Sequence, residues 1–477
     1  MHDKRDIKSS MCVHPSVSTA QAFRFRFWDV LAAIGILLSL QTQLRPGGAV
    51  VGPGELLLVA WIIPTFLYEI CRFKRRVPRA FWDLTRFWGV FAIAESVGAY
   101  SSIANGTLID WSLSFHDVAA YLLLFAFSSS LTFSPNSFQR ARNIQWVTML
   151  LGSALILLQL AHAFGLISIR GIDPWYWDRL RGWSDNPNQL ALEGLLLGFL
   201  SISCAEQSSQ PPKTFVAIIC ACIAFGAGAL AKSNTFTVVV FGGLLLFAAL
   251  KVARKATTFE RKGIPAFSAL VATCALVGLS VCVFYPFLKQ DAAGITSIET
   301  AMARDNRQET HQELLLRLFL WQSAIHRGTD AHMLGLGPGP HLEIPFTVLY
   351  GRRSGDGPAN VPHPKLGLAP NFEAHNSTLE LFVQGGLLAA GAFLTICIVA
   401  LWRAYRAGLD GLTTMLLTTG AFGCFHVITR HPVVWFIISL ALLTPRNQTA
   451  LVAAALPRRF FIRGSGHKAM QPSRPLA

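Results

Sequence analysis

The chain has 477 residues, of which 52% are hydrophobic and only 14% charged, and 41 Lys and Arg stand against 26 Asp and Glu for a formal charge of +15. Soluble domains carry about a quarter charged residues, so the composition excludes an ordinary water-soluble fold. The basic residues fall in short clusters between apolar blocks, which makes them topology signals and argues against nucleic acid as a partner.

Segment 1–26 is polar and basic, and no A-x-A-like cleavage site follows it, so it reads as a retained tail ahead of a first span. Apolar blocks of about 17 to 25 residues, the length that crosses a hydrocarbon core, then recur without the period-2 alternation of barrel strands. Twelve spans are expected, at 27–44, 50–70, 86–104, 117–133, 145–166, 187–205, 214–231, 235–252, 265–287, 377–402, 411–428 and 432–445. The fold class is therefore an all-α polytopic membrane protein, with helices one to nine over 27–287, a large outer loop over 288–376, helices ten to twelve over 377–445 and a basic tail over 446–477. The runs RFKRR at 72–76 and KVARK at 251–255 mark the cytoplasmic side and place both termini there.

The nine cysteines (Cys12, Cys71, Cys204, Cys220, Cys222, Cys274, Cys282, Cys397 and Cys424) all fall outside the segments expected on the outer side. With no CxxC pair, neither a disulfide framework nor a zinc site is expected. The histidines lack H-x3-H and HExxH spacing, so no metal is expected either. The intramembrane acids Asp29, Glu55, Glu95 and Glu193 are candidates for a proton or ion path.

Two outer segments carry unusual charge. The first, 167–188, contains IRGIDPWYWDRLRGWSDNPN, with Arg170, Arg179 and Arg181 on the side that topology disfavours for them. Arginine offers a planar fork of donors that suits phosphate oxygens; a lipid-headgroup arginine inside an aromatic belt of Trp175, Tyr176, Trp177 and Trp183 is the plainer alternative. Pro187 after Asn186 reads as a helix start.

In the second segment, LLLRLFLWQSAIHRG over 314–328 puts Arg317 and Trp321 on one helical face, with Leu314, Leu315, Leu318 and Leu320 expected to hold the helix to the bundle or the membrane surface. The run GLGPGP at 335–340 permits close backbone approach to a ligand, or forms a flexible turn. It lacks the Lys-Ser/Thr of a P-loop, so nucleotide binding is not expected. His375 stands beside Asn376 where the loop re-enters the membrane, where a neutral imidazole can take a proton from a hydroxyl; an interfacial His next to a helix-capping Asn is the competing reading.

In order and placement these features resemble the O-antigen ligase and polysaccharide polymerase superfamily of bacterial membrane glycosyltransferases. The matching positions are Arg181-Gly182 with Pro187-Asn188, Ser233, Arg317 with Trp321, Gly335 and Gly337, and His375-Asn376 with Gly386. Three positions depart from the pattern: Asn234 follows Ser233 where many members carry Arg or Lys, Gln384 stands where Glu is common, and Ala389 replaces a common Gly.

The resemblance implies a GT-C-like architecture in the bacterial inner membrane and transfer, without metal or cofactor, of a glycan from an undecaprenyl-pyrophosphate-linked donor. Lipid A-core or a growing polysaccharide would be the acceptor. It further implies His375 as base and Arg179, Arg181 and Arg317 as pyrophosphate ligands, supported by Trp321, Gly335, Gly337 and Asn376. A secondary transporter or flippase is the rival class, and it would call for ionisable groups at mid-membrane and paired broken helices.

Overall fold

With no water to satisfy backbone groups in a bilayer, each apolar block must close its hydrogen bonds within itself, as a helix. The computed structural model describes residues 19–45, 51–71, 77–107, 109–134, 136–176, 178–259, 316–343, 370 and 372–445. The expected span 265–287, much of the expected loop, residues 1–18 of the N-terminal tail and 446–477 lie outside these residues, as does Trp177, whereas 19–26 of the expected tail belong to the first helix.

The first eight helices are α1 (Thr19–Leu38), α2 (Pro53–Cys71), α3 (Arg79–Ala104), α4 (Trp111–Phe133), α5 (Ser137–Ala163), α6 (Pro187–Gln207), α7 (Pro211–Leu230) and α8 (Asn234–Phe259). A helix over 316–330 (α9) follows. The last three are α10 (Ser377–Arg406), α11 (Asp410–Gly423) and α12 (Pro432–Leu443). Seven of these are long and apolar enough to cross a membrane. Their outward faces carry large exposed apolar side chains such as Leu56, Ile93, Leu122, Ile218, Val238 and Ile398, a surface that only a lipid solvent tolerates. The chain is an all-α polytopic membrane protein.

Helix α6 is the axis of the bundle, with 78% of its apolar window buried. It approaches α7 closely because Gly194 lies against Ala224 and Gly228, where a Cβ would stand 2.7 Å from the Ala224 carbonyl. Small residues at a contact let two backbones meet, the usual device of membrane helices.

Helices α3, α4 and α5 begin six to eight residues before the expected spans, and in α3 and α5 a charged residue near the helix start is paired within the bundle. Asp83 meets Arg403, and Arg140 donates to Glu69 at 2.9 Å. A hydropathy window discards such residues, while packing retains them.

The acids expected to mark a path are separately engaged. Asp29 accepts from Asn143 at 3.0 Å, Glu55 pairs with Arg45 at 2.7 Å, and Glu193 accepts from Gln41 at 3.0 Å. Glu95 differs, since both its carboxylate oxygens are buried without a hydrogen-bond partner.

The largest departure concerns the expected span 377–402. Helix α10 is broken at Gly385 (φ −118°, ψ 20°) and Gly386 (φ 66°, ψ −162°), which separates a short segment, 377–384, from 387–406. The twenty residues after the break reach about 30 Å at 1.5 Å each, so they form the crossing part. The backbone of Gly386 lies in a region essentially reserved for glycine, and a Cβ there would sit 2.0 Å from the Met333 carbonyl oxygen. Gly386→Ala is expected to cost at least about 2 kcal/mol. A thermal midpoint in detergent within a degree of wild type would contradict that.

Candidate active site

The described parts of the connections between α1 and α2, α3 and α4, α5 and α6, α7 and α8, and α11 and α12, together with the start of α10, gather at one end of the bundle. The 164–186 connection folds as a short hairpin, Trp175–Tyr176 paired antiparallel with Arg179–Leu180. Gln43, on the connection after α1, straps it down by donating to Ser184 O at 2.6 Å and Asp173 O at 3.0 Å. Trp183 is buried and donates to His162 at 3.3 Å, and Trp175 donates to Ala163 O at 3.0 Å. These tryptophans pack the loop onto the bundle, so they do not form a belt at the lipid surface. Asn186 caps α6 through Asn188 N at 2.9 Å, with Pro187 at the first position as expected.

The two arginines of the hairpin take different positions. Arg181 is fully buried and gives Nε and Nη2 to the Asp173 carbonyl and carboxylate, both at 2.9 Å. Arg179 reaches across to the turn before α8, donating to Ala231 O at 3.1 Å and Asn188 Oδ1 at 3.3 Å. Lys232 in that turn pairs with Asp178 at 2.6 Å, and this hydrogen bond holds the Asp178 carboxyl below its usual range. The neighbouring Ser233 lies at the start of α8 and is buried.

Helix α9 packs on a small core of Leu320, Ala324, Ala331, Leu336, Leu342, Ala374 and Val383. Leu320 anchors it as expected. Leu318 is exposed, and Leu316 supplies the second contact; Leu314 and Leu315 lie outside the described residues. Arg317 and Trp321 do share a face, and both meet Phe425, at 5.7 Å and 5.8 Å between centres.

The glycine run approaches the chain's own backbone. Gly337 N donates to Gln384 O at 2.7 Å and Leu336 N to Val383 O at 2.8 Å, while Met333 O accepts from Leu387 N at 3.0 Å. Residues 333–337 thus satisfy the groups freed by the break in α10. Gly335 and Gly337 are obligatory there, because each has φ near +90° and a Cβ would enter Gln384 O or Ala99.

His375 precedes α10 with φ 49°, a left-handed conformation costly for a non-glycine residue. Its neighbours on both sides are fixed. Ala374 N donates to Glu380 at 2.7 Å, and Asn376 caps α10 through Thr378 N and Leu379 N at 3.0 and 3.1 Å. Asn376 also donates to Cys424 O at 2.9 Å, and Ser377 Oγ donates to His426 O at 2.8 Å. The capping reading of Asn376 is therefore correct, and the cap ties His375 to the turn between α11 and α12.

That turn begins at Cys424, four residues before the expected end of span eleven, so Cys424 is exposed at this end of the bundle. It also carries two residues that sequence motifs passed over. His426 stacks on Phe422 at 4.4 Å, and its Nε2 is buried without a partner. Burial first, and then Coulomb repulsion from Arg317, His375 and Arg179, hold its pKa down to about 3. One imidazole thus feels the charge of three of the residues singled out in the sequence, Arg317, His375 and Arg179. Arg181 is not among them.

Arg430 is the second. It donates to Asp117 at 2.5 Å and to Glu373, closing a bridge from α4 to the residue two before His375. Gln384 Nε2 completes the network by donating to Asp117 at 3.0 Å, Gly339 O at 3.1 Å and Glu380 at 3.2 Å, while Tyr121 donates to Gln384 Oε1 at 2.8 Å. An amide at 384 can donate to two carboxylates, which a Glu at that position could not do when ionised. No signal in the sequence connects Arg430 to Asp117, which lies 313 positions away.

His431 is likewise held down to about 4, chiefly by burial and then by Arg430, and burial depresses His341. In the unfolded chain these imidazoles titrate at their ordinary 6.5. Below that pH the unfolded chain binds protons that the folded chain refuses. Their contribution to stability is intact above pH 6.5, falls as the pH drops through 6.5, and levels off only below about 3 to 4 for His426 and His431. The thermal midpoint is expected to fall between pH 7.5 and 4.5, less steeply in His431→Gln; an identical slope in that variant would remove His431 from the account.

Fold and site together define a multi-pass membrane protein with a cationic, histidine-bearing site at one end of its helical bundle. Residues 217–394 match the family described as O-antigen ligase, so over this stretch the chain is similar to that family. The match contains Ser233, Arg317, Trp321, Gly335, Gly337, His375 and Asn376; Arg179, Arg181, His426 and Arg430 stand outside it. No curated protein matches the chain.

Proposed function

We propose that the protein is a metal-independent glycosyltransferase of the ligase or polymerase type, acting on the extracytoplasmic side of the bacterial inner membrane. Its donor is a glycan on undecaprenyl pyrophosphate, and its acceptor is lipid A-core or a growing polysaccharide. His375 removes the proton of the acceptor hydroxyl as that oxygen attacks the anomeric carbon. The bond from this carbon to the pyrophosphate oxygen breaks, and the electron pair leaves with the phosphate. Arg317 and Arg179 stabilise the charge that develops there, work for which fixed cations are suited. Arg181 contributes by locking the hairpin that carries Arg179, and Asn376 by fixing His375.

The observation that supports this reading is the turn 424–431, where Arg317 stands over the Phe425 ring at 5.7 Å and Asn376, next to His375, donates to Cys424 O at 2.9 Å. The rival transporter finds one of its features in the break of α10 beside Glu95, Asp117 and Glu380. That break is filled by the backbone of 333–337, and Arg430 neutralises Asp117, which leaves no gate to move there among the described residues.

The test is complementation of a strain lacking the gene with wild type, Arg317→Ala or His375→Ala at matched membrane levels, with surface glycan read as a gel ladder. Loss of transfer with accumulation of donor supports the enzyme. Loss of long chains alone points to a polymerase and loss of all lipid A-linked chains to a ligase. Normal glycan from both variants would favour the transporter.

A further inference from the structure

We infer that His426 is a neutral hydrogen-bond donor to the anionic leaving group, a direct ligand that acts without changing protonation. The inference rests on the transferase reading above and deepens it.

The turn 424–431 is held from three sides. Asn376 and Ser377 grip its start through Cys424 O and His426 O, Ser377 Oγ accepts from Ile428 N at 3.0 Å, and Trp435 donates to Thr429 O at 2.7 Å. The His426 ring is stacked on Phe422 with an interplanar angle of 25°, so neither backbone nor ring is free to seek another partner. Its Nε2 is nevertheless buried with no hydrogen-bond partner. A buried N–H in the same neighbourhood, Trp321 Nε1, also lacks an acceptor, and Trp321 lies against Phe425, the residue next to His426.

Buried polar atoms are almost always paired. Two such nitrogens around one turn therefore call for a ligand rich in acceptors, and the neighbouring cations Arg317 and Arg179 specify that it be an anion. A phosphate or pyrophosphate ester meets both demands. The charged groups that act on His426 are Arg317 from α9, His375 from the chain before α10 and Arg179 from the hairpin. All are basic, so burial and these groups together oppose protonation of His426. A ring that stays neutral keeps one N–H to donate and is too weak a base to compete with His375 for the acceptor's proton. The two imidazoles thereby divide the work, His375 moving the proton and His426 binding the anion.

The experiment compares His426→Phe, which keeps the ring on Phe422 and deletes the N–H, with His426→Gln, which keeps a donor that does not titrate. Transfer by the full-length protein in detergent is measured against donor concentration, with inorganic pyrophosphate as a competing probe of the anion site. A hydrogen bond to a charged group is worth enough to raise the donor KM and the pyrophosphate inhibition constant roughly 10- to 100-fold in His426→Phe. In His426→Gln both constants are expected within a few-fold of wild type, with the acid limb of the pH profile unmoved.

The inference is overturned if His426→Phe keeps both constants, or if His426→Gln loses kcat together with the acid limb, the mark of a titrating catalyst. His375→Ala in parallel separates the two levels of the argument. Full transfer by that variant sinks the transferase mechanism, whereas weakened pyrophosphate binding in His426→Phe would still stand as evidence for the anion site.

Discussion

His375→Ala is expected to lower glycan transfer by about 10² to 10⁴, the usual contribution of a positioned base, while the protein still inserts and folds. The imidazole meets the Phe372 ring at 5.4 Å, while the following hydrogen bonds and ion pair are made by its neighbours. Glu373 is bridged to Arg430, Ala374 N is bonded to Glu380, and Asn376 caps α10 and grips Cys424 O. Removing the imidazole leaves all of these bonds in place. The left-handed backbone, φ 49°, is imposed by the surroundings, so an alanine there inherits the strain but not the chemistry. A structural role predicts the opposite pattern, a lower melting point with proportionate loss of activity. Donor accumulation with an unchanged melting point is therefore the diagnostic pair.

Arg430→Met is expected to have the largest effect on stability. The Asp117 side chain is 1% exposed and would lose the cation that neutralises it. Breaking a buried pair by removing one partner costs about 3 to 5 kcal/mol, because the other charge is left uncompensated. Glu373 is 35% exposed and can be hydrated, so most of the cost lies with Asp117. The double variant Arg430→Met with Asp117→Asn is expected to recover part of the loss, measured as midpoint temperature and yield in detergent. Transfer would remain impaired, since Glu373 would no longer be anchored two residues before His375. A single variant as stable as wild type would show that Asp117 is accommodated without Arg430.

The class of fold was written in composition and in the length of the apolar blocks, because the bilayer admits so few backbone solutions that a one-dimensional pattern suffices. The same holds for local stops and starts such as Asn186-Pro187 and the cap at Asn376, which are decided within a few residues of chain. Arg317, Trp321 and His375 were legible because unusual residue types stood in segments where hydropathy expects bland connections.

The break in α10 was half legible. Gly385-Gly386 permits it, but only the packing of 333–337 against Gln384 and Leu387 imposes it. Long-range pairs were decided by the tertiary structure alone. Arg181 and Arg179 are two positions apart, yet one turns inward onto Asp173 and the other reaches the turn before α8. His426 and Arg430 belong to no motif, and their significance comes from Phe422, Asp117 and the cations that folding brings to them. Sequence spacing records neighbours along a helix or a turn, whereas a binding site joins helices that are hundreds of residues apart.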